Sequence, residues 1–201
     1  MKLLINCLVY GNRSRDVIEH NLQNSGSPDS RYVETEIDFI NIEGIANALN
    51  EGIKNYDQYD AIAFLANDIV EPVNWLAKKY DALKTYHNAG IVASSLDFER
   101  KEIKNDHIIS NWLIDTKLIS KIGKFNESFY PYGPIDLDYC ERTWIAGFNT
   151  YYVIDCLAYH KDNNAIVNEY GWNKSELVAK YWKQYEDDKI AYKDGSKNIK
   201  L

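Results

Sequence analysis

The chain has 201 residues, 45% hydrophobic and 26% charged, which fits one globular domain with room for a real core. Its net charge of −7 lacks the basic excess of a phosphate-backbone binder, so no nucleic-acid partner is expected. Three cysteines (Cys7, Cys140, Cys156) without Cys-x-x-Cys spacing exclude a disulfide scaffold and a structural zinc site, and point to a reducing, cytoplasmic setting.

Leu3 to Tyr10 reads as a buried strand, turned by Gly11-Asn12. Its apolar run is too short for a signal peptide, and no window approaches a membrane span, so no integral membrane segment is expected. Ser14 to Asn24 reads as a helix with Ser14 as N-cap, broken by Gly26-Ser27-Pro28-Asp29. Tyr32 to Phe39 alternates as a strand, with Val33, Thr35, Ile37 and Phe39 on one side. Ile42 to Lys54 has Ile45, Ala48, Leu49 and Ile53 at helical spacing. Ala61 to Ala66 is an uninterrupted apolar strand, and Pro72 opens a helix running to about Tyr86. Ala89 to Ser94 is a further strand.

This alternation predicts an α/β fold with a mostly parallel sheet covered by helices on both faces. After about residue 100 the pattern changes to strands at Ile108–Ile114 and Tyr151–Ile154 around a helix from about Asp136 to Ala146. A polar-aromatic helix over Trp172–Tyr192 is expected to pack across the sheet, and Asp194 to Leu201 to fray. One domain is expected, its pattern dividing it into about 1–100, about 101–170 and a C-terminal helix over about 172–193.

Two stretches carry chemistry. D-A-I-A-F-L-A-N-D-I-V-E-P (Asp60 to Pro72) delivers Asp68 to a strand's carboxyl end, where open α/β sheets bind ligands. G-P-I-D-L-D-Y-C-E-R (Gly133 to Arg142) puts Asp136 and Asp138 at a helix start, and His160 follows the next strand. Two carboxylate groups and a histidine beside apolar runs suit a metal-assisted transfer site, although Asp68, Asp136 and Asp138 would each also serve as helix caps. Sixteen Tyr and five Trp leave flat surface for core packing or for stacking on a sugar ring, with Trp112, Phe129, Tyr130 and Tyr132 grouped beside the second stretch.

Over residues 3–160 the sequence resembles GT-A-fold glycosyltransferases of the inverting family-two type. L-V-Y-G-N (Leu8 to Asn12) resembles the first nucleotide-contacting loop. N-I-E-G-I-A-N-A-L-N-E-G (Asn41 to Gly52) resembles the N-x-x-G-x-x-x-A-x-N-x-G helix. F-L-A-N-D-I-V-E-P-V-N-W-L (Phe64 to Leu76) resembles the strand ending in the DXD motif. I-G-K-F-N-E-S-F-Y (Ile122 to Tyr130) and the run from Asp136 to His160 are similar to two further blocks, in the same order.

The resemblance implies a Rossmann-like GT-A sheet with a small acceptor-side subregion. It also implies transfer of a sugar from a nucleotide-sugar donor, a UDP sugar first among candidates, to a hydroxyl of a glycan or other acceptor. It implies Mn²⁺ or Mg²⁺ at Asp68 and His160, the histidine alternatively contacting the diphosphate, with Asp136 as the general base. Val9, Tyr10, Asn12, Asp38, Asn41, Gly44, Asn50, Asn67 and Asp68 are the implied donor contacts. Asp138 and Arg142 read as a structural pair. The sequence departs from the family at Ala66, where the first DXD acid is expected, and at Ile135, where an acid precedes the base. These losses leave open a second reading, a sugar-nucleotide or glycan-binding module without turnover. The sequence leaves the donor sugar and the oligomeric state open.

Overall fold

The computed structural model describes residues 2–9, 15–26, 34–97, 107–108, 111–161, 171 and 173–201. The strands are β1 (Lys2–Leu8), β2 (Glu34–Ile40), β3 (Ala61–Ala66), β4 (Ile69–Val70), β5 (Ala89–Leu96), β6 (Trp112–Asp115) and β7 (Asn149–His160). The helices are α1 (Asp16–Gln23), α2 (Ile45–Gly52), α3 (Trp75–Thr85), α4 (Thr116–Ile122), α5 (Ile135–Ile145) and α6 (Lys174–Asp194).

The sheet runs β2-β1-β3-β6-β5-β7-β4. β1 pairs in parallel with β2 and β3, and β5 with β7, whereas β6 and β4 run against their neighbours. Five strands therefore share one direction, and their carboxyl ends line one edge. β1 and β3 are buried on both faces, which is why β3 reads as an unbroken apolar run and β1 as one interrupted only by the buried Asn6. Period-two alternation sends Leu4, Leu8, Ile62 and Phe64 to one core layer with Leu49, Leu118 and Tyr139. It sends Leu3, Ile5, Ala63 and Leu65 to the other, against Ile18, Trp75, Leu76 and Leu83.

Several local expectations change. Helix α3 starts at Trp75, after Asn74 in a left-handed conformation (φ 61°), three residues later than Pro72 suggested. The short helix α4 was not visible in the sequence: its apolar residues Leu118, Ile119 and Ile122 span only two turns. On the edge strand β2, Ile37 and Phe39 stay exposed at 49% and 43%, and the Arg15 guanidinium lies 4.8 Å from the Phe39 ring centre. Val33, Tyr32 and Ser14 lie outside the described residues.

Two corrections concern the C-terminal region. Helix α6 packs on α5 rather than across the sheet, burying Tyr185 and Tyr192. The tail beyond it is docked, not frayed. Leu201 N–H donates to Ile122 O (3.2 Å), Lys124 N–H donates to Leu201 O (3.1 Å), and Ile199 packs against the core. No helix among the described residues is long and apolar enough to cross a membrane.

Candidate active site

The site forms where β3 ends. Asn67 and Asp68 make the turn into β4, and β4 pairs antiparallel with the end of β7, Ile69 opposite His160. The Lys161 N–H donates to Asp68 O at 2.7 Å. This two-residue ladder fixes Asp68 next to His160, although the two are far apart in sequence.

A buried polar network holds the turn from behind. The Lys79 ammonium donates to Glu71 Oε1 and to Asn111 O, both at 2.7 Å, with both side chains fully buried. Asn111 Nδ2 donates to the same Glu71 oxygen (2.8 Å), and its Oδ1 accepts from Ala66 N–H (2.9 Å). Ser94 Oγ donates to Glu71 Oε2 (2.5 Å). On the other side, Asn21 of α1 accepts from Glu71 N–H and donates to Ile69 O, at 2.9 and 2.8 Å. Backbone groups at 66, 69 and 71 are thus clamped on both flanks of Asp68, which holds the turn rigidly.

His160 is oriented by Asp97, a residue the sequence reading missed. Asp97 Oδ2 lies 2.7 Å from His160 Nδ1, and Oδ1 accepts from the His160 N–H at 2.8 Å. The His160 ring hydrogen bond, and then the backbone one, hold the Asp97 carboxyl below its ordinary range. An ionised carboxylate only accepts, so Nδ1 carries the proton, and in the neutral ring Nε2 keeps its lone pair. This carboxylate–histidine pairing is how ligating imidazoles are oriented toward metals. The available signal was position: Asp97 directly follows β5 at the carboxyl edge of the sheet, but β5 was expected to stop at Ser94. β7 was likewise expected to stop at Ile154. An irregularity facing Ser94/Ser95, with Asp155 at φ 58°, lets the strand resume and carry His160 to the edge.

Asp136 sits in the first turn of α5 and lines the same cavity as Asp68 and His160, together with Trp112, Tyr132 and Lys174. The Leu137 N–H donates to Asp136 Oδ1 (3.0 Å), but burial dominates and pushes the carboxyl up to about 6. The Tyr132 hydroxyl is pushed up to about 12 by burial, with the charges of Asp136 and then Asp68 adding to it. Both carboxylates therefore act on one phenol. The cavity holds about 140 Å³, below the roughly 300–1,000 Å³ of pockets that enclose a whole drug-sized ligand.

Two residues later, Asp138 has a different setting. Its Oδ2 accepts from Arg142 Nε and Nη2 (2.9 and 2.8 Å), and its Oδ1 accepts from Tyr192 OH (3.1 Å). Arg142 Nη1 donates to Ile122 O and Ile199 O, so this buried pair ties α5 to α4, α6 and the tail.

Of the other expected donor contacts, the described ones (Val9, Asp38, Asn41, Gly44, Asn50 and Asn67) are not among the residues lining this cavity. Asn50 is spent on the 125–127 segment, donating to Phe125 O and Glu127 Oε1 and accepting from Phe125 N–H. Gly44 (φ 87°) has a packing reason to be glycine, because a Cβ there would meet the Tyr130 ring at 2.9 Å. Asp38 faces a separate acidic hollow beside β2, lined by Glu36, Glu51 and Tyr59 among others. Val9 is buried and donates to Ile40 O, Asn41 is exposed beyond β2, and Asn67 is buried in the turn beside Asp68. Tyr10 and Asn12 lie outside the described residues. Trp112 and Phe129 are core aromatics, Trp112 stacking on Phe125 and Tyr139, while Tyr130 is exposed.

The donor set fits a hard divalent cation. Asp68 would supply an oxygen and His160 a nitrogen, and among the described residues no group of three His, Cys, Asp or Glu is placed to hold a metal ion. Two protein ligands suit Mn²⁺ or Mg²⁺ that completes its shell with phosphate oxygens and water.

No protein-family model and no curated protein sequence matches the chain. Solved structures do. The chain superposes on the mannosyltransferase PcManGT from Pyrobaculum calidifontis, described in complex with GDP-Man and Mn²⁺, with a TM-score of 0.61 and 13% identity. It covers 79% of this chain and 56% of that one. GalNAc-T7 with UDP, GalNAc and Mn²⁺ gives a TM-score of 0.61 at 9% identity, over 94% and 50% of the two chains. The catalytic domain of Drosophila beta1,4galactosyltransferase 7, in complex with xylobiose, gives 0.59 at 15% identity, over 87% and 78%. The chain spans about half the length of the first two. At such identities the likeness speaks for architecture, and the architecture is clear: this chain has the GT-A fold.

Proposed function

We propose that this protein is an inverting glycosyltransferase that moves a sugar from a nucleotide-sugar donor, a UDP sugar first among candidates, to an acceptor hydroxyl. The observation carrying this reading is that Asp68, His160 and Asp136 line one cavity at the carboxyl edge of the sheet. The solved neighbours described with GDP-Man or UDP and Mn²⁺ support it. In this reading residues 1–100 hold the donor, 101–170 form the acceptor and catalytic side, and the helix of 172–193 flanks them.

Asp136 takes the proton from the acceptor hydroxyl, and the oxygen attacks the anomeric carbon from the face opposite the diphosphate. The new C–O bond forms as the bond from the anomeric carbon to the diphosphate oxygen breaks, inverting that centre. A carboxyl raised to about 6 is a stronger base than an ordinary aspartate and is still ionised at neutral pH. Asp68 and His160 would hold Mn²⁺ or Mg²⁺, which supplies charge neutralisation for the departing diphosphate. Asp97 keeps His160 in the ligating tautomer, and the Glu71–Lys79–Asn111 network keeps Asp68 in place.

The test is release of nucleoside diphosphate from a panel of sugar nucleotides with Mn²⁺. Asp136→Asn should cut turnover roughly 10²- to 10⁴-fold, and an unchanged rate removes the base assignment. Ala66, where a second acid would strengthen metal binding, favours a second reading as a binding module without turnover. Nucleotide binding without diphosphate release over hours would select it.

A further inference from the structure

We propose that Lys174 is a fixed cationic contact for the donor's diphosphate, so that nucleotide binding is only partly metal-dependent. This rests on the transferase reading and names a residue that reading does not use. Lys174 lines the cavity that holds Asp68, Asp136 and His160, and is the one lysine or arginine among its described lining residues. It also borders the outer groove formed by Tyr132, Ser175, Val178, Ala179 and Trp182, so it stands at the mouth between the two.

Its placement is hard to explain by the fold alone. Lys174 is the first residue of α6, directly after the Asn173 cap, whose Oδ1 accepts from Glu176 N–H. A cation in the first helical turn opposes the helix dipole, which favours anions there. No carboxylate among the described residues pairs with Lys174. Among the described residues it makes a cation–π approach, 5.9 Å from the Tyr132 ring centre. A residue that breaks a local rule without full structural compensation is where function is expected.

The charge balance supplies the function. The cavity presents two carboxylates, which by themselves repel a diphosphate. The turn after β3 reads Ala66-Asn67-Asp68, so it brings a single negative charge. Lysine binds phosphate as a point charge on a flexible stem, suited to a leaving group whose charge grows during transfer.

The test is calorimetric titration of the full chain with UDP and with GDP, in Mn²⁺ and in EDTA, for wild type, Lys174→Ala, Lys174→Arg and Asp68→Asn. Lys174→Ala should weaken nucleotide binding roughly 10- to 100-fold with or without Mn²⁺, as loss of a charged hydrogen bond does. Lys174→Arg should retain most of the affinity. Asp68→Asn should abolish the gain from Mn²⁺ yet bind as well as wild type, or better, in EDTA. Thermal unfolding of Lys174→Ala should match wild type, which separates binding loss from misfolding. Equal affinity of Lys174→Ala and wild type in both conditions overturns this inference and leaves the transferase reading standing. A wild type that binds neither nucleotide overturns both.

Discussion

Replacing Asp136 by Asn should make the protein more stable at neutral pH. Its carboxyl is raised from the ordinary 3.8 to about 6 because burial disfavours the charge. The native state therefore binds this proton more tightly than the unfolded chain does. Stability of the wild type falls as pH rises from about 4 through about 6, and the deficit is complete above that window. At about 1.36 kcal/mol per tenfold change in proton affinity, the deficit is about 3 kcal/mol, trimmed to about 2 by the side chain's opening on the cleft. The amide of Asn fills the same space without a charge. Its advantage over wild type should be small at pH 4 and reach about 2 kcal/mol by pH 7, or roughly 4–8 °C in Tm for a chain of this size. Urea unfolding of both proteins at half-unit steps from pH 4 to pH 8, without metal or nucleotide, measures it. A difference that stays flat across that range, or a less stable variant at pH 7, refutes the buried-carboxylate argument.

On the transferase reading, Asp97→Asn should raise the Mn²⁺ concentration for half-maximal rate roughly 10- to 100-fold, the usual cost of losing a ligand's orienting partner. Unaltered half-saturation would dissociate the Asp97–His160 pair from metal binding. Lys79→Met should cost about 3–5 kcal/mol in urea unfolding, because Glu71 is left as a buried, uncompensated charge. Combining it with Glu71→Gln should restore part of the loss, and a single-variant loss below about 1 kcal/mol would contradict the dry, fully paired network.

The central strands were legible because β1 and β3 are covered on both faces, so β3 spells a continuous apolar run and β1 one broken only by Asn6. α2 was legible because Ile45, Ala48, Leu49 and Ile53 keep helical spacing. Long-range pairing was not. The reversed strand β6 inserts between β3 and β5 through contacts such as Ile62 to Ile114, which leave no local pattern. The two residues of β4 are too few for any periodicity, yet they bring Asp68 beside His160. Asp68, Asp136 and His160 were visible because each follows or begins a recognisable element. Asp97, Glu71, Lys79 and Asn111 were not, since their importance lies in partners 8 to 63 residues away.

The first turn of α5 offers the sharpest internal contrast. Asp136 and Asp138 share chemistry, helix and turn, and point in different directions. One opens on the cleft with no cation among its recorded partners; the other is buried against a bidentate Arg142 and the Tyr192 hydroxyl. Burial raises the proton affinity of the first, and its charge weakens the fold. The second holds α5 to Arg142, through which Ile122 and Ile199 are also held. Asp138→Asn leaves the guanidinium buried and without its counter-charge, so it should cost about 3–5 kcal/mol at pH 7, opposite in sign to Asp136→Asn at the same pH. Urea unfolding of the two variants side by side reads this sign difference directly. If both variants shift stability the same way, the division of the turn into one reactive and one structural carboxylate is wrong, and the case for Asp136 as the base loses its physical footing.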